Sequence, residues 1–160
     1  MWLIKIHLVT ITLLTILVST PKAQDSKSVK TFPDLGIFKL DGYKREELKD
    51  KILVVDFWAS WCAPCRKEHP NLVRLSKIKN IKLVGVNFKD NVENAKNFLK
   101  ENGNPFDILA EDKNGKNSVN FGVYGIPETI LIDSELKILK KYIGPLNIKD
   151  VNEIRKLVKK

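Results

Sequence analysis

The sequence predicts an α/β fold in which a buried sheet is flanked by helices. Ile52–Trp58 is a continuous apolar run interrupted only by Asp56, and Ile81–Phe88 is predicted to be a second buried strand. Runs of this kind are typical of strands that are covered on both faces, as in a parallel sheet. Each is followed by a segment with the apolar spacing of a helix, at 60–77 and at 92–101. Because strands alternate with helices, we expect one layered α/β domain.

The other predicted elements are shorter. They are a strand and turn at 37–42, a strand at 106–110, a polar turn around Gly115, a hairpin of strands at 129–132 and 136–143, and a terminal helix at 148–158. Pro70 lies inside the first predicted helix and is expected to kink it, whereas Asn102 and Gly103 end the second.

Composition indicates one folded domain with a short additional segment. The chain has 160 residues, 43% of them hydrophobic, and a formal net charge of +9. The lysines are spread along the chain, and we find neither a basic helix nor an alternation of aromatic and basic residues. A basic surface can attract nucleic acid or anionic lipid, but we favour a solvated, repulsive surface and expect no nucleic-acid partner.

The N-terminus carries a hydrophobic segment. Residues 6–21 have no formal charge if His7 is neutral, and they lie between Lys5 and Lys22. A cleaved signal peptide would place Ala23 before the cut, with Pro21 where a small residue is preferred. An uncleaved membrane anchor just reaches the required length of ~17–20 residues, and we favour it over a signal peptide and over a buried core helix. We therefore predict an anchor or signal at 1–23, a polar linker at 24–31 and a domain at 32–160 outside the cytoplasm.

The two cysteines, Cys62 and Cys65, lie three residues apart directly after the first buried strand. A bridge closing so short a loop would stabilise the fold by only ~2 kcal/mol, so a purely structural role is a weak explanation. At the start of a helix the free amides favour a thiolate on Cys62, and its pKa is expected to fall from ~8.5 into the range ~3.5–7.5. Cys62 would attack a substrate disulfide, and Cys65 would resolve the mixed disulfide.

Other residues near the pair leave alternatives open. Burial of Asp56 should raise its pKa, which suits a base that takes the proton of Cys65, although a local capping role is equally compatible. A zinc site would need His7 and His69 as further ligands, and a copper(I) dithiolate is chemically feasible. We favour neither metal and interpret His69 as a packed or half-exposed helix residue.

The segment DFWASWCAPC at 56–65 resembles the active-site signature of the thioredoxin family. In that resemblance Trp61, Ala63 and Pro64 support the cysteine pair, and Pro70 takes the place of the family's helix proline. Ile126 and Pro127 match its Ile-Pro pair, which implies a cis peptide bond beside the disulfide and a substrate-binding backbone there. It also implies a thioredoxin-like fold with a central mixed sheet, and no cofactor beyond the redox disulfide.

Three further strings are similar to the CcmG/DsbE thioredoxins of cytochrome c maturation, within the group that includes TlpA and ResA. They are GVNFKDN at 85–91, FLKENGNPF at 98–106 and GVYGIPET at 122–129. This resemblance implies a helix-strand insertion at 92–110. It also places Glu128 on an acidic rim, where it could otherwise be an ordinary exposed glutamate. The Ala63-Pro64 dipeptide and Asp56 are closer to thioredoxin than to these proteins.

The resemblance implies a reductant in the bacterial periplasm, anchored to the inner membrane. Its partners would be apocytochrome c or the haem lyase or thiol-handling protein that receives it. Electrons would come from a membrane donor of the DsbD or CcdA type. Two alternatives stay open at this point: a general TlpA- or ResA-like reductase with other clients, and a thioredoxin-like module that carries copper(I).

Overall fold

The computed structural model describes residues 39–41 and 51–158 and contains a six-stranded sheet with helices on both faces. The predicted anchor at 1–23 and linker at 24–31 lie outside the described residues. Within the described part, no helix is long and apolar enough to cross a membrane. In chain order the elements are β1 (Lys39–Asp41), β2 (Ile52–Trp58), α1 (Ala63–Leu75), β3 (Ile81–Phe88), α2 (Val92–Asn102), β4 (Ile108–Asp112), α3 (Lys116–Asn120), β5 (Glu128–Ile132), β6 (Ile138–Ile143) and α4 (Ile148–Val158).

The sheet is mixed, with the order β1-β4-β3-β2-β5-β6. Strands β2, β3 and β4 run parallel to one another, whereas β1, β5 and β6 pair antiparallel with their neighbours. Strand β2 lies between β3 and β5, so its carboxyl end is fixed from both sides. The thioredoxin-like sheet and the helix-strand insertion, formed by α2 and β4, are thereby confirmed.

Alternation along β2 divides the core between the two faces of the sheet. Val54 and Trp58 pack with the inner faces of α1, α2 and α4, together with both cysteines. Leu53, Val55 and Phe57 pack on the opposite face with Phe121 and Val123, which follow α3, among other residues. Successive side chains of a strand point to opposite faces, which is why an uninterrupted apolar run was the right signal for this strand.

The polar turn predicted around Gly115 is present at residues 113–115, where the amide of Gly115 donates to the carbonyl of Asp112 at 3.3 Å, and it leads into a helix, α3, that was not predicted. Gly115 caps this helix in the left-handed conformation, at φ +73°. Asp112 accepts hydrogen bonds from the backbone amide and the hydroxyl of Ser118, both at 2.7 Å. A five-residue helix is too short to show a helical period in the sequence, and this one depends on a carboxylate outside it. Strands β4 and β6 also begin two residues later than predicted.

Gly85, in the middle of β3, is expected to tolerate no side chain. A Cβ added there would lie 2.7–2.8 Å from three ring atoms of Phe106. We expect Gly85→Ala to lower the free energy of unfolding by about 1–3 kcal/mol, because the ring is buried and has little room to move. Denaturant titration measures this. Gly125→Ala is the matched control, since nothing lies within 4 Å of its added Cβ. Equal effects of the two substitutions would contradict the packing argument.

Candidate active site

The two cysteines form a disulfide at the point where β2 passes into α1. The S–S distance is 2.08 Å and the Cα atoms are 5.3 Å apart. Cys62 is the N-cap of α1, with extended backbone at φ −82° and ψ 108°, and Pro64 lies in the first turn. The amide of Cys65 points at the sulfur of Cys62, with N···Sγ 3.2 Å. A proline costs nothing in that turn because no intrahelical acceptor is available for its amide.

Exposure does not distinguish the attacking cysteine, because both residues are 4% exposed. Helix position does distinguish them. The sulfur of Cys62 lies at the helix start and faces a free backbone amide, which stabilises negative charge there. Cys65 lies one turn further inside. The geometry therefore agrees with Cys62 as the thiolate in the reduced protein.

The Ile126–Pro127 peptide is cis, as the resemblance implied. The carbonyl oxygen of Ile126 lies 3.9 Å from Sγ of Cys62, so this turn lies directly against the disulfide. Pro127 is buried and Ile126 is half-buried. Two exposed aromatic residues belong to the adjoining loops, Trp61 at 59% and Tyr124 at 82% exposure. The substrate-binding role of this turn stays a prediction.

Glu128 does not lie on an exposed acidic rim, and it is not an ordinary exposed glutamate. It is 5% exposed and forms an ion pair with Lys141 of β6. Its Oε1 also accepts the backbone amides of Tyr124 and Gly125, both at 3.3 Å. A loop with unpaired amides attracts the adjacent carboxylate inward, which the sequence alone did not show. Glu128 therefore fixes the loop that carries Ile126.

Asp56 is fully buried in strand β2, between Val54 and Trp58, whose side chains pack in the same cluster as both cysteines. Thr129 of β5 donates its hydroxyl to Oδ1 at 3.1 Å, while Oδ2 has no hydrogen-bond partner. Burial raises the pKa of Asp56 to about 7, and the Thr129 hydrogen bond opposes this only in part. The predicted increase in pKa is confirmed, and a carboxyl of this kind can exchange a proton near neutrality. Its role as the base for Cys65 stays a prediction.

Glu68 is a second buried carboxyl that the sequence analysis missed. It is 1% exposed, and its Oε2 accepts the backbone amide of Leu146 at 2.7 Å. Burial raises its pKa to about 9, and the charge of Asp56 adds to the increase. The helical spacing contained the signal: Cys65, Glu68 and Leu72 follow one another at three and four residues on the buried face of α1.

Asp90 fixes the turn that precedes Cys62, and it too was missed. Its Oδ2 accepts the amide of Ser60 at 2.6 Å and the side-chain amide of Asn87 at 2.9 Å. Its Oδ1 accepts the Ser60 hydroxyl at 2.9 Å and the amide of Asn91 at 2.8 Å. Four donors therefore converge on one carboxylate, which joins the β3–α2 loop to the loop before the disulfide.

Replacing Asp90 with asparagine is expected to loosen this turn. The amide offers one acceptor oxygen instead of two, so at least one donor loses its partner, and we expect a loss of about 1–3 kcal/mol in unfolding free energy. Denaturant titration measures the change. Ser60→Ala is the control: it removes only the hydroxyl bond and should cost about 1 kcal/mol or less. A D90N protein as stable as the parent would contradict this role.

His69 is a packed helix residue, as expected. Its Nε2 lies 2.8 Å from the carbonyl oxygen of Gly103, and its ring meets the edge of the Phe98 ring with centroids 4.9 Å apart. The histidine is 5% exposed. The contact between Nε2 and the Gly103 carbonyl thus connects α1 to the end of α2.

A thioredoxin-like sheet that presents a CxxC disulfide at a helix start beside a cis X-Pro turn defines a thiol–disulfide exchange protein. Residues 30–158 match the family model described as Redoxin, and the chain belongs to this family. It is 37% identical over 135 residues to the thiol:disulfide interchange protein DsbE of Pasteurella multocida, covering 81% of this chain and 74% of that protein. The resemblance to DsbE-type proteins is confirmed.

Other relatives carry the same description. The chain is 48% identical over 101 residues to the thiol:disulfide interchange protein HelX of Rhodobacter capsulatus, covering 62% of this chain. It is 46% identical over 98 residues to CycY of Rhizobium leguminosarum, covering 61% of this chain. It spans only 57% and 53% of the lengths of these two proteins.

Solved structures show the same fold. StoA of Bacillus subtilis is 27% identical, with a TM-score of 0.58 over 68% of this chain and 82% of that one. A thiol:disulfide interchange protein of Chlorobium tepidum, also described as a thioredoxin family protein, is 27% identical. Its TM-score is 0.61, covering 72% of this chain and 85% of that one.

Proposed function

We propose that this protein is a thiol–disulfide oxidoreductase that reduces disulfides outside the cytoplasm, as a reductant in the biogenesis of c-type cytochromes. The observation that carries the proposal is the position of Cys62, at a helix start and 3.9 Å from the Ile126 carbonyl of the cis-proline turn. Similarity to interchange proteins of the DsbE type supports the same chemistry.

The first step is attack by the Cys62 thiolate on one sulfur of a substrate disulfide. A new S–S bond joins Cys62 to the substrate, and the second substrate sulfur leaves as a thiolate and takes up a proton. Cys65 then loses its proton and attacks Sγ of Cys62, which closes the observed bridge and breaks the bond to the first substrate sulfur. That sulfur leaves as a thiolate and takes up a proton. Two electrons pass from the cysteine pair to the substrate.

The buried carboxyls offer a place for the proton of Cys65. Asp56 has a pKa of about 7 and one oxygen without a hydrogen-bond partner, so it can accept a proton near neutral pH. Glu68, with a pKa of about 9, is protonated under the same conditions. Only Asp56 is therefore suited to act as the base, with Glu68 as a neutral neighbour.

The partners and the location belong to the proposal. We propose that the substrate is apocytochrome c or the haem lyase or thiol-handling protein that receives it, and that a membrane donor of the DsbD or CcdA type restores the thiols. The hydrophobic segment at 1–23 would hold the domain at the periplasmic face of the bacterial inner membrane. The protein needs no cofactor besides its own disulfide.

Trapping tests the choice of client. In cells, Cys65→Ala should stall as a mixed disulfide between Cys62 and an apocytochrome or its handling protein, identified by mass spectrometry. The double variant Cys62→Ala/Cys65→Ala is the control and should trap nothing. Adducts with unrelated periplasmic proteins would favour a general TlpA- or ResA-like reductase instead.

A redox titration tests the direction of electron flow. We expect a potential nearer the ~−270 mV of thioredoxin than the ~−120 mV of strong oxidants, because Ala63-Pro64 lacks the histidine of oxidising members. An oxidant's potential would contradict the reductant assignment. One copper ion retained per chain without turnover of disulfides would favour the copper(I) module.

A further inference from the structure

The exposed charged residues of helix α1 are all positive, and the first of them, Arg66, directly follows Cys65. Five basic residues on this helix and the turn after it are exposed: Arg66, Lys67, Arg74, Lys77 and Lys79. The only carboxyl between residues 66 and 79 is Glu68, which is buried and has its pKa raised to about 9 by that burial. This stretch therefore carries five positive charges and no negative charge at neutral pH.

None of these charges is paired with a carboxylate, whereas half of the other lysines between residues 51 and 158 are. Six ion pairs involve the lysines at 82, 96, 113, 137, 140 and 141, each with a glutamate or an aspartate. Within the same part of the chain, no carboxylate lies at ion-pair distance from the five basic residues. Glu101 of α2 lines a groove together with Arg66, but the two do not pair.

Three of the charges share one groove. Arg66, Arg74 and Lys77 line a cavity of about 390 Å³ between α1 and the end of α2, where Asn102 lies. Arg66 and Arg74 are eight residues apart in α1, a spacing that puts them on one face about 12 Å apart along the axis. Arg66 also donates to the carbonyl of Ser60 at 3.1 Å, so the groove opens beside the loop that leads to Cys62.

We propose that this basic groove binds an acidic segment of the protein whose disulfide is being reduced. The inference rests on the proposed function and adds a substrate class to it: disulfides with aspartate or glutamate nearby in the chain. A substrate attached to Cys62 must lie over this end of α1, within reach of Arg66. A cluster of like charges beside a reactive centre accelerates the encounter with partners of opposite charge.

A protein segment fits this face better than a lipid surface does. The apolar residues that line the groove are Pro70, which is exposed, and Val73, which is half-buried. The groove residues include no large aromatic side chain that would enter a bilayer interface. Trp61 and Tyr124, the strongly exposed aromatic residues, lie around the disulfide instead. The strongly exposed aromatic side chains therefore lie beside the redox centre, whereas the basic residues line a separate groove.

The test compares three synthetic peptides that share one internal disulfide and differ only in flanking residues: four glutamates, four serines or four lysines. The reduced full-length protein is mixed with each peptide in detergent micelles, and oxidation of its cysteine pair is followed by stopped-flow fluorescence. In each reaction the peptide disulfide gains two electrons and two protons and becomes two thiols, while Cys62 and Cys65 become the bridge. We expect the glutamate peptide to react about tenfold faster than the serine peptide, with the advantage lost in ~1 M salt.

Charge reversal locates the effect. Arg74→Glu/Lys77→Glu should abolish or invert the preference for the glutamate peptide and leave the serine peptide unaffected. Lys149→Glu/Lys156→Glu, on exposed positions of α4, changes the net charge equally and should keep the preference. Equal behaviour of the two double variants would overturn the proposal. Failure of all three peptides would count against the proposed function itself.

A lipid partner would give a different result. If the peptides react equally and Arg74→Glu/Lys77→Glu instead weakens cosedimentation with phosphatidylglycerol vesicles, the groove faces a membrane surface and the proposal is wrong. If the protein prefers the glutamate peptide and the Arg74→Glu/Lys77→Glu variant binds the vesicles as the parent does, an acidic protein segment is the supported partner.

Discussion

Cys62→Ser is expected to abolish disulfide reduction, whereas Cys65→Ser should preserve the first half of the reaction. A hydroxyl at residue 62 cannot attack a disulfide, so we expect the turnover of a peptide disulfide to fall by more than about 1,000-fold. With Cys65 replaced, Cys62 still forms the mixed disulfide, but nothing resolves it. The two variants therefore fail at different steps.

Mass spectrometry of the protein mixed with a disulfide peptide separates these steps. The Cys65→Ser protein should accumulate a covalent adduct with one peptide half, and the Cys62→Ser protein should show none. The parent protein, which completes the cycle, is the control. An adduct that forms on Cys65 in the Cys62→Ser protein at a similar rate would contradict the assignment of the attacking residue.

Stability should decrease as the pH rises through neutrality, and the buried carboxyls should cause much of the decrease. Burial raises the pKa of Asp56 from 3.8 to about 7 and that of Glu68 from 4.5 to about 9. Between these values the folded protein holds protons that the unfolded chain has released. The stability that these two groups contribute is therefore fully present below about pH 4, and it is lost as the pH rises towards their pKa values in the folded protein.

Asp56→Asn removes one of these groups and keeps an acceptor for the Thr129 hydroxyl. Its unfolding free energy should decline less between pH 5 and pH 9 than that of the parent, by at most about 3 kcal/mol, because Asp56 in the parent releases its proton between pH 5 and its folded pKa of about 7. Glu153→Gln is a control of opposite sign, because Lys140 lowers the pKa of Glu153 and its contribution is lost on acidification. Parallel profiles for the parent and Asp56→Asn would show that Asp56 is not titrating in the folded protein.

The elements that bury a continuous apolar surface were predictable from the sequence. Ile52–Trp58 and Ile81–Phe88 have the predicted bounds, because a central strand covered on both faces is mostly apolar along its whole length. The cysteine pair was predictable for a local reason as well. The helix start is signalled in the sequence by the strand that precedes it and by the proline in its first turn.

Polar side chains that turn inward were not predictable in the same way. Glu68 and Asp90 each accept a backbone amide from a distant segment that only the folded chain brings to them. Glu128 accepts amides of its own loop, but its ion-pair partner Lys141 lies on another strand. The burial of Glu68 also changes the net charge that helix α1 presents to solvent. The prediction that the chain has no basic helix was wrong: the one carboxyl of α1, Glu68, is buried, and the exposed charges of the helix are all positive.

The most direct test of the catalytic account is the pH dependence of alkylation in the reduced full-length protein. Iodoacetamide should modify Cys62 first, with an apparent pKa well below the ~8.5 of a free thiol, and Cys65 much more slowly. Peptide mass spectrometry assigns the modified residue at each pH. If Cys62 titrates near ~8.5, or if Cys65 is modified first, the helix start does not activate Cys62 and the account is wrong.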